Sequence, residues 1–192
     1  MWTTTQQAIV AIKEGSMTTD HPTFRAIFLA AHQLGIAERV LIAGGAVVDL
    51  ATATDIDVFV LKDFHDGGAT SVRLLDRLDP QWVAERNPTM YLEAVGDRQV
   101  AGHACFSVGT THPATPAFPT PIHVVASESS DWQGVLNSFD LSICRWGVDH
   151  DLYLLRGIEA STPGQPTRIL RMTTTTPTRA AKYQERFGLV CA

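Results

Sequence analysis

The segment from residue 39 to residue 61 constrains the fold of this chain more than any other. It opens with the apolar run 40–43, which has the length of a short strand. Gly44 and Gly45 interrupt that run, and glycine permits positive φ and a close approach of the backbone to a ligand. The next residues, 46–51, are compatible with a short helix, and a second strand-like segment follows. The segment therefore predicts two strands connected through a glycine turn and a short helix.

Two carboxylates stand two positions apart at the start of the second predicted strand. Because residues i and i+2 of a strand share a face, Asp55 and Asp57 should project together, while Ile56, Val58 and Val60 pack on the other side. Two such carboxylates repel each other unless a cation lies between them, and hard oxygen ligands suit Mg²⁺ or Mn²⁺. The upstream glycine turn offers backbone N–H groups to a phosphate. This pattern indicates phosphoryl or nucleotidyl transfer.

The same segment resembles the signature of the polymerase-β-type nucleotidyltransferase superfamily. In this chain it runs Ala43-Gly44-Gly45, nine residues, then Asp55-Ile56-Asp57-Val58. From the residues alone, a glycine turn followed by a solvated Asp pair remains the alternative. The resemblance implies an α/β (α+β) fold, with a mixed sheet and helices mainly on one face. We expect a single domain over 1–192, whose C-terminal third, from about residue 139, extends the sheet and closes the cleft.

The resemblance also implies an activity: transfer of a nucleoside monophosphate from an NTP to an acceptor, with release of pyrophosphate. Asp55 and Asp57 would hold Mg²⁺ (or Mn²⁺), and Gly44 and Gly45 would bind phosphates through their N–H groups. The acceptor stays open between a nucleic acid such as tRNA, a protein and a small molecule. The alternative is a catalytically inactive fold of the same type that serves as a binding or antitoxin module.

A third carboxylate on a later strand is usual in the superfamily, and Asp140 has the expected hydrophobic neighbours, Phe139 and Leu141. The competing position is the predicted strand 122–127, where His123 stands instead of an acid. From the residues alone, Asp140 is equally well explained as a helix cap or as a buried, hydrogen-bonded side chain. Segments 139–144, 179–183 and 186–188 also resemble a group of phage-borne proteins regarded as nucleotidyltransferases.

Basic residues share one face of the predicted C-terminal helix, 178–187. Arg179, Lys182 and Arg186 fall at i, i+3 and i+7, where they could bind a triphosphate or a nucleic-acid backbone. A solvated basic face is the alternative. Lys62, just beyond the second strand, is a weaker phosphate candidate.

Other kinds of site are less well supported. The spacing of the candidate zinc ligands matches no compact pattern; they are His103, Cys105, His112 and His123. Cys144 lies in an apparently alternating strand, which favours a core position over a nucleophile. The glycine turn lacks the third glycine of a dinucleotide-binding turn, and Asp55 comes too early for a ribose contact.

The composition indicates which kinds of protein and which cellular location to expect. The net charge of −5 and the pI of about 5.7 exclude a protein that coats nucleic acid by bulk charge. Three cysteines without tight spacing argue against a disulfide framework. With no signal-peptide pattern at the N-terminus and no apolar run of membrane length, we expect a cytoplasmic protein that does not contact a membrane.

The remaining pattern predicts further elements. We expect helices over 21–35 (with Asp20 as N-cap), 71–78 and 131–138, strands over 90–96, 100–109, 122–127 and 139–146, a strand over 152–155 that returns as a hairpin, and a loop over 158–176.

Overall fold

The computed structural model describes residues 17, 19–79, 105–107, 118–170, 177–187 and 189–190. Its α-helices are α1 (Pro22–Gln33), α2 (Gly45–Val48), α3 (Ala69–Leu78), α4 (Trp132–Ser138) and α5 (Pro177–Phe187). Its strands are β1 (Val40–Ala43), β2 (Ile56–Val60), β3 (Cys105–Ser107), β4 (Ile122–Ser127), β5 (Trp146–Val148), β6 (Leu154–Arg156), β7 (Thr167–Arg168) and β8 (Leu189–Val190). Short 3₁₀ helices cover Ala37–Arg39 and Ser142–Cys144. The strand predicted over 90–96, most of that over 100–109, and His103 and His112 lie outside the described residues.

Six strands form a mixed sheet in the order β3-β4-β2-β1-β5-β6. The β2–β4 pair is parallel, and the other pairs of this sheet are antiparallel. Helix α1 packs against β1 and α3, and α3 also packs against β4. The predicted α/β class with a mixed sheet is therefore confirmed. A separate parallel pair joins β7 to β8. Strand β7 lies within the stretch 158–176 that was predicted as a loop, and β8 lies just beyond α5. Within the described ranges, no helix has the length and apolar character that a bilayer crossing requires.

Strand β2 lies in the middle of the sheet and shows the predicted alternation. Ile56, Val58 and Val60 are fully buried, and Asp57 projects from the opposite face. Phe59, on the same face as Asp57, is buried against the ring of Phe139, with the ring centroids 5.8 Å apart. The apolar residues of β2 thus fix the direction in which its carboxylate points.

Helix α1 begins differently from the sequence prediction. Its N-cap is His21, whose Nδ1 accepts a hydrogen bond from the backbone N–H of Thr23 at 3.2 Å. Asp20, the predicted cap, forms an ion pair with Arg25 instead. Proline is favoured at the first helical position, so the helix begins at Pro22 and the cap falls on His21, one residue later than predicted. Gly35 follows the helix with φ +68°, which is consistent with the predicted stop.

The strand predicted over 139–146 is wrong. The chain there forms the 3₁₀ helix Ser142–Cys144 before entering β5. Polar and apolar residues alternate in this segment, but both kinds are buried. Ser142 hydrogen-bonds Ser161, and Arg145 donates to the carbonyl oxygens of Phe139 at 3.1 Å and of Ile158 at 2.7 Å. Because the polar residues find partners inside the protein, their alternation does not mark an exposed face of a strand.

Removal of one buried carboxylate tests how the loop after β2 is held. Asp63 is fully buried and accepts hydrogen bonds from the N–H groups of Thr70 (3.0 Å) and Ser71 (2.7 Å) in the first turn of α3. We expect Asp63→Ala to lower the free energy of unfolding by about 2–3 kcal/mol, because a helix cap and charged hydrogen bonds are lost together. Urea denaturation measures the change. The exposed Asp66→Ala on the same loop should stay within about 0.5 kcal/mol. Equal effects of the two changes would contradict this role.

Candidate metal centre

Two adjacent parallel strands bring an acid and a histidine side by side. Asp57 of β2 pairs directly with His123 of β4, and Oδ1 of Asp57 lies 3.2 Å from Nδ1 of His123. Asp55 immediately precedes β2, and its Oδ1 accepts a hydrogen bond from the Thr54 hydroxyl at 3.0 Å. One ligand atom from each of Asp55, Asp57 and His123 lies within 4.8 Å of the other two. All three residues are partly buried.

This donor set fits a divalent cation. Carboxylate oxygens bind Mg²⁺ and Mn²⁺, and a neutral imidazole nitrogen is a common ligand of transition metals. The two carboxylates converge on one side of the sheet as the strand period predicts. The third member, however, is a histidine. Its signal in the sequence is its position as the second residue of the strand 122–127, which is predicted correctly, whereas the superfamily pattern leads one to expect an acid there.

The glycine turn shapes the edge of this centre. Gly44 has φ +93° and ψ −155°, a conformation that is readily accessible only to glycine. A Cβ atom there would lie 3.5 Å from Oδ2 of Asp57 and 3.6 Å from the ring of Phe139. The N–H of Gly44 donates to the carbonyl oxygen of Trp146 at 3.0 Å. A phosphate contact from this N–H, as expected from the sequence, would have to replace that hydrogen bond.

Helix α5 packs on the second glycine of the turn. A Cβ atom at Gly45 would lie 3.2 Å from the Tyr183 hydroxyl and 3.5 Å from Nη1 of Arg186. The close packing of α5 against the turn thus depends on the absence of a side chain at this position. The C-terminal part of the chain is thereby brought to the edge of the centre.

Two basic residues of α5 contact the loop that leads into Asp55. Lys182 Nζ donates to the Thr54 hydroxyl at 2.9 Å. Arg186 donates from Nε to the Thr52 hydroxyl at 3.0 Å and from Nη2 to the Asp49 carbonyl oxygen at 3.2 Å. The acceptors in these bonds are neutral oxygens. Lys62 lies two residues beyond the opposite end of β2 from Asp57, in a turn where its φ is +59°.

Asp140 and Arg179 form a separate cluster behind the turn. The Arg179 guanidinium binds the Asp140 carboxylate through Nε (3.2 and 3.1 Å) and Nη2 (3.0 Å), and Asp140 is only 4% exposed. Asp140 precedes the 3₁₀ helix rather than lying within a strand. Within the described part of the chain, the group of side chains that could share a metal contains His123 and does not contain Asp140. Asp140 therefore holds helix α5 through its contacts with Arg179.

Cys144 belongs to this same buried cluster. Burial raises the pKa of the Cys144 thiol to about 11, against the opposing effects of Arg179 and of a hydrogen bond with Tyr183. Burial also raises the pKa of the Tyr183 hydroxyl. At neutral pH both groups therefore stay protonated, and Cys144 has the low reactivity of a core thiol, as its sequence position suggested.

Comparisons with known proteins give little further information. No family model matches the chain, and no curated protein sequence matches it. A solved structure described as "tRNA-processing enzyme (apo form I)" is similar at 15% sequence identity with a TM-score of 0.45. The similarity covers 93% of this chain and 46% of that one, so the chain spans about half the length of that structure. At this level of similarity, no activity is transferred from that structure to this chain.

The substitution Asp140→Asn distinguishes a structural role from metal binding. We expect the free energy of unfolding to fall by about 1–2 kcal/mol, because a neutral amide loses the charge assistance of the Arg179 contacts. The affinity for Mn²⁺ should stay within about two-fold, since Asp140 lies outside the donor group. Urea denaturation and metal titration measure the two quantities, with the exposed Asp76→Asn as the matched control. A tenfold loss of Mn²⁺ affinity at unchanged stability would make Asp140 a ligand after all.

Proposed function

We propose that this chain is a metal-dependent nucleotidyltransferase, which moves a nucleoside monophosphate from an NTP to an acceptor and releases pyrophosphate. The observation that carries the proposal is the convergence of Asp55, Asp57 and His123 within 4.8 Å beside the Gly44-Gly45 turn. These elements follow one another in the order of the superfamily signature. The fold supplies the strand, turn, short helix and strand that this signature requires.

Asp55, Asp57 and His123 are the residues that would hold the divalent cation. When bound, such a cation shields the charge of a triphosphate and lowers the pKa of an attacking hydroxyl. The protein contributes fixed positions: two donors lie on neighbouring strands of one sheet, and the third immediately precedes one of them. Gly44 lets the backbone turn next to Asp57, because glycine readily adopts the φ of +93° found there.

We assign Lys182 and Arg186 to binding of the triphosphate. Both now donate to neutral oxygens of the loop 49–54. A phosphate oxygen carries negative charge, and hydrogen bonds between ionised partners are shorter and stronger than those to neutral acceptors. Exchange of threonine hydroxyls for phosphate oxygens would therefore be favourable. Arg179, by contrast, is held by Asp140, so we assign it to positioning α5 rather than to contact with the nucleotide.

The second candidate function is a nucleotide-binding module without catalysis. It is favoured by one observation: the donor group has two carboxylates and a histidine rather than three carboxylates, while Asp140 is bound by Arg179. An NTP would then bind at Lys182 and Arg186 without being consumed.

Labelled substrates separate the two functions. The protein is incubated with each α-labelled ribonucleoside triphosphate, with Mg²⁺ or Mn²⁺, and with the nucleic-acid, protein and small-molecule fractions of a cell extract. Label that enters one fraction, with matching release of pyrophosphate, supports the transferase and identifies the class of acceptor. Tight NTP binding without transfer to any fraction would support the binding module instead.

Asp57→Asn tests the carboxylate at the centre of the site. We expect the transfer rate to fall by about 100-fold or more, which is the scale seen when one group that stabilises transition-state charge is removed. The nearly isosteric amide should keep β2 in place, so the unfolding midpoint should change little. Asp76→Asn, on the exposed face of α3, is the control for the loss of one negative charge. Near-normal transfer by Asp57→Asn would contradict the proposed site.

Lys182→Ala tests the assignment of the phosphate contacts. A hydrogen bond to a charged group contributes about 1.5–3 kcal/mol, so we expect NTP to bind about tenfold more weakly or worse. Lys62→Ala removes the same charge from the opposite end of β2 and should leave the affinity within about two-fold. Isothermal titration with each NTP measures both. If the two variants lose affinity equally, the effect is one of net charge and not of contact with the nucleotide.

A further inference from the structure

We infer that the Asp55–Asp57–His123 centre selects a first-row transition dication, for which Mn²⁺ is the probe, over Mg²⁺. This inference rests on the site of the proposed function, and it concerns which metal that site takes. It follows from the nature and the fixed position of its third donor.

The imidazole of His123 is held in place by the sheet. His123 is directly paired with Asp57 across the parallel strands, and its side chain is only 15% exposed. Its neighbours on β4, Ile122 and Val124, are each 1% exposed and anchor the strand from the opposite face. The low exposure of the ring and its 3.2 Å contact with Oδ1 of Asp57 favour this position of the side chain. Any cation bound between the two aspartates therefore meets a nitrogen donor.

The chemistry of that donor distinguishes the metals. Mg²⁺ dehydrates reluctantly and is bound through carboxylates, phosphates and retained waters. Imidazole is a good ligand for first-row transition dications, and carboxylates suit Mn²⁺ as well as Mg²⁺. A transition dication can therefore use all three side chains as ligands, whereas Mg²⁺ uses only the two carboxylates. Replacement of His123 by an acid should remove this difference.

The selectivity is measured with the full chain and without nucleotide. Mn²⁺ binding is followed by the loss of the free-ion electron paramagnetic resonance signal, and Mg²⁺ is added as a competitor. The quantity of interest is the ratio of the dissociation constant for Mg²⁺ to that for Mn²⁺. We expect this ratio to fall by about tenfold in His123→Asp, which corresponds to about 1.4 kcal/mol.

His65→Asp is the matched control, because it makes the same exchange at an exposed residue in the loop after β2. Its ratio should equal that of the wild type. A general effect of added negative charge would instead change the ratio in both variants, and that result would overturn the inference.

A spectroscopic measurement tests the nitrogen donor directly. Electron spin echo of bound Mn²⁺ should show coupling to nitrogen-14 in the wild type and in His65→Asp, but not in His123→Asp. If His123→Asp does not fold, wild-type protein labelled with nitrogen-15 histidine replaces it, and the nitrogen-14 coupling should then disappear.

The outcomes separate the inference from the proposed function. Bound Mn²⁺ without histidine coupling, an unchanged metal ratio in His123→Asp, or no Mn²⁺ binding at all would each overturn the inference. If nucleotidyl transfer nevertheless proceeds with Mg²⁺, the proposed function stands and only the inference about metal selectivity is rejected. Coupled Mn²⁺ together with no transfer under any metal would uphold the inference and reject the transferase.

Discussion

The register of β2 between β1 and β4 is the constraint on which the candidate site depends. Asp57 faces Ala43 on one side and His123 on the other, while Ile56 and Val58 fill the opposite face at 0% exposure. A slip by one residue would exchange these faces and bury the carboxylate among apolar side chains. The hydrophobic core therefore sets the position of the Asp57 carboxylate, the central donor of the proposed metal site, although no apolar residue is itself a donor.

Helix α5, near the C-terminus of the chain, also contacts the segments around the candidate site. Arg179 ties α5 to the buried Asp140, Tyr183 packs against Gly45, and Lys182 and Arg186 reach the loop before Asp55. The buried contacts of Arg179 and Tyr183 determine where α5 lies, and Lys182 and Arg186 of the same helix then reach the loop beside the candidate site. The contacts that hold α5 in place and the contacts proposed for the nucleotide thus come from different residues of one helix.

The parts of the fold that the sequence could predict are those with a local pattern. The strand 40–43, the alternation after Asp55 and the face shared by the basic residues of α5 all depend on short-range periodicity. The pairing of Asp140 with Arg179 joins residues 39 positions apart and has no such pattern. In the described part of the chain, Asp140 binds Arg179 and lies outside the group of side chains that could share a metal.

The role of His123 as a third donor could not be predicted for a different reason. Its strand was predicted correctly, but whether β4 would lie next to β2, and in which register, is a property of the whole sheet. Dependence on distant parts of the chain also explains the error at 139–146, where buried polar side chains find their partners in a distant loop. Sequence pattern located β1, β2 and β4, and tertiary pairing decided which of their side chains meet.

A crystal structure with Mn²⁺ and a non-hydrolysable NTP tests the central claim most directly. Anomalous scattering at the manganese edge locates the metal independently of the protein phases. We expect a peak at bonding distance from Asp55, Asp57 and a ring nitrogen of His123, with the triphosphate oxygens against Lys182 and Arg186. A peak bound elsewhere, for example at Asp140, or a nucleotide bound away from the glycine turn, would contradict the account.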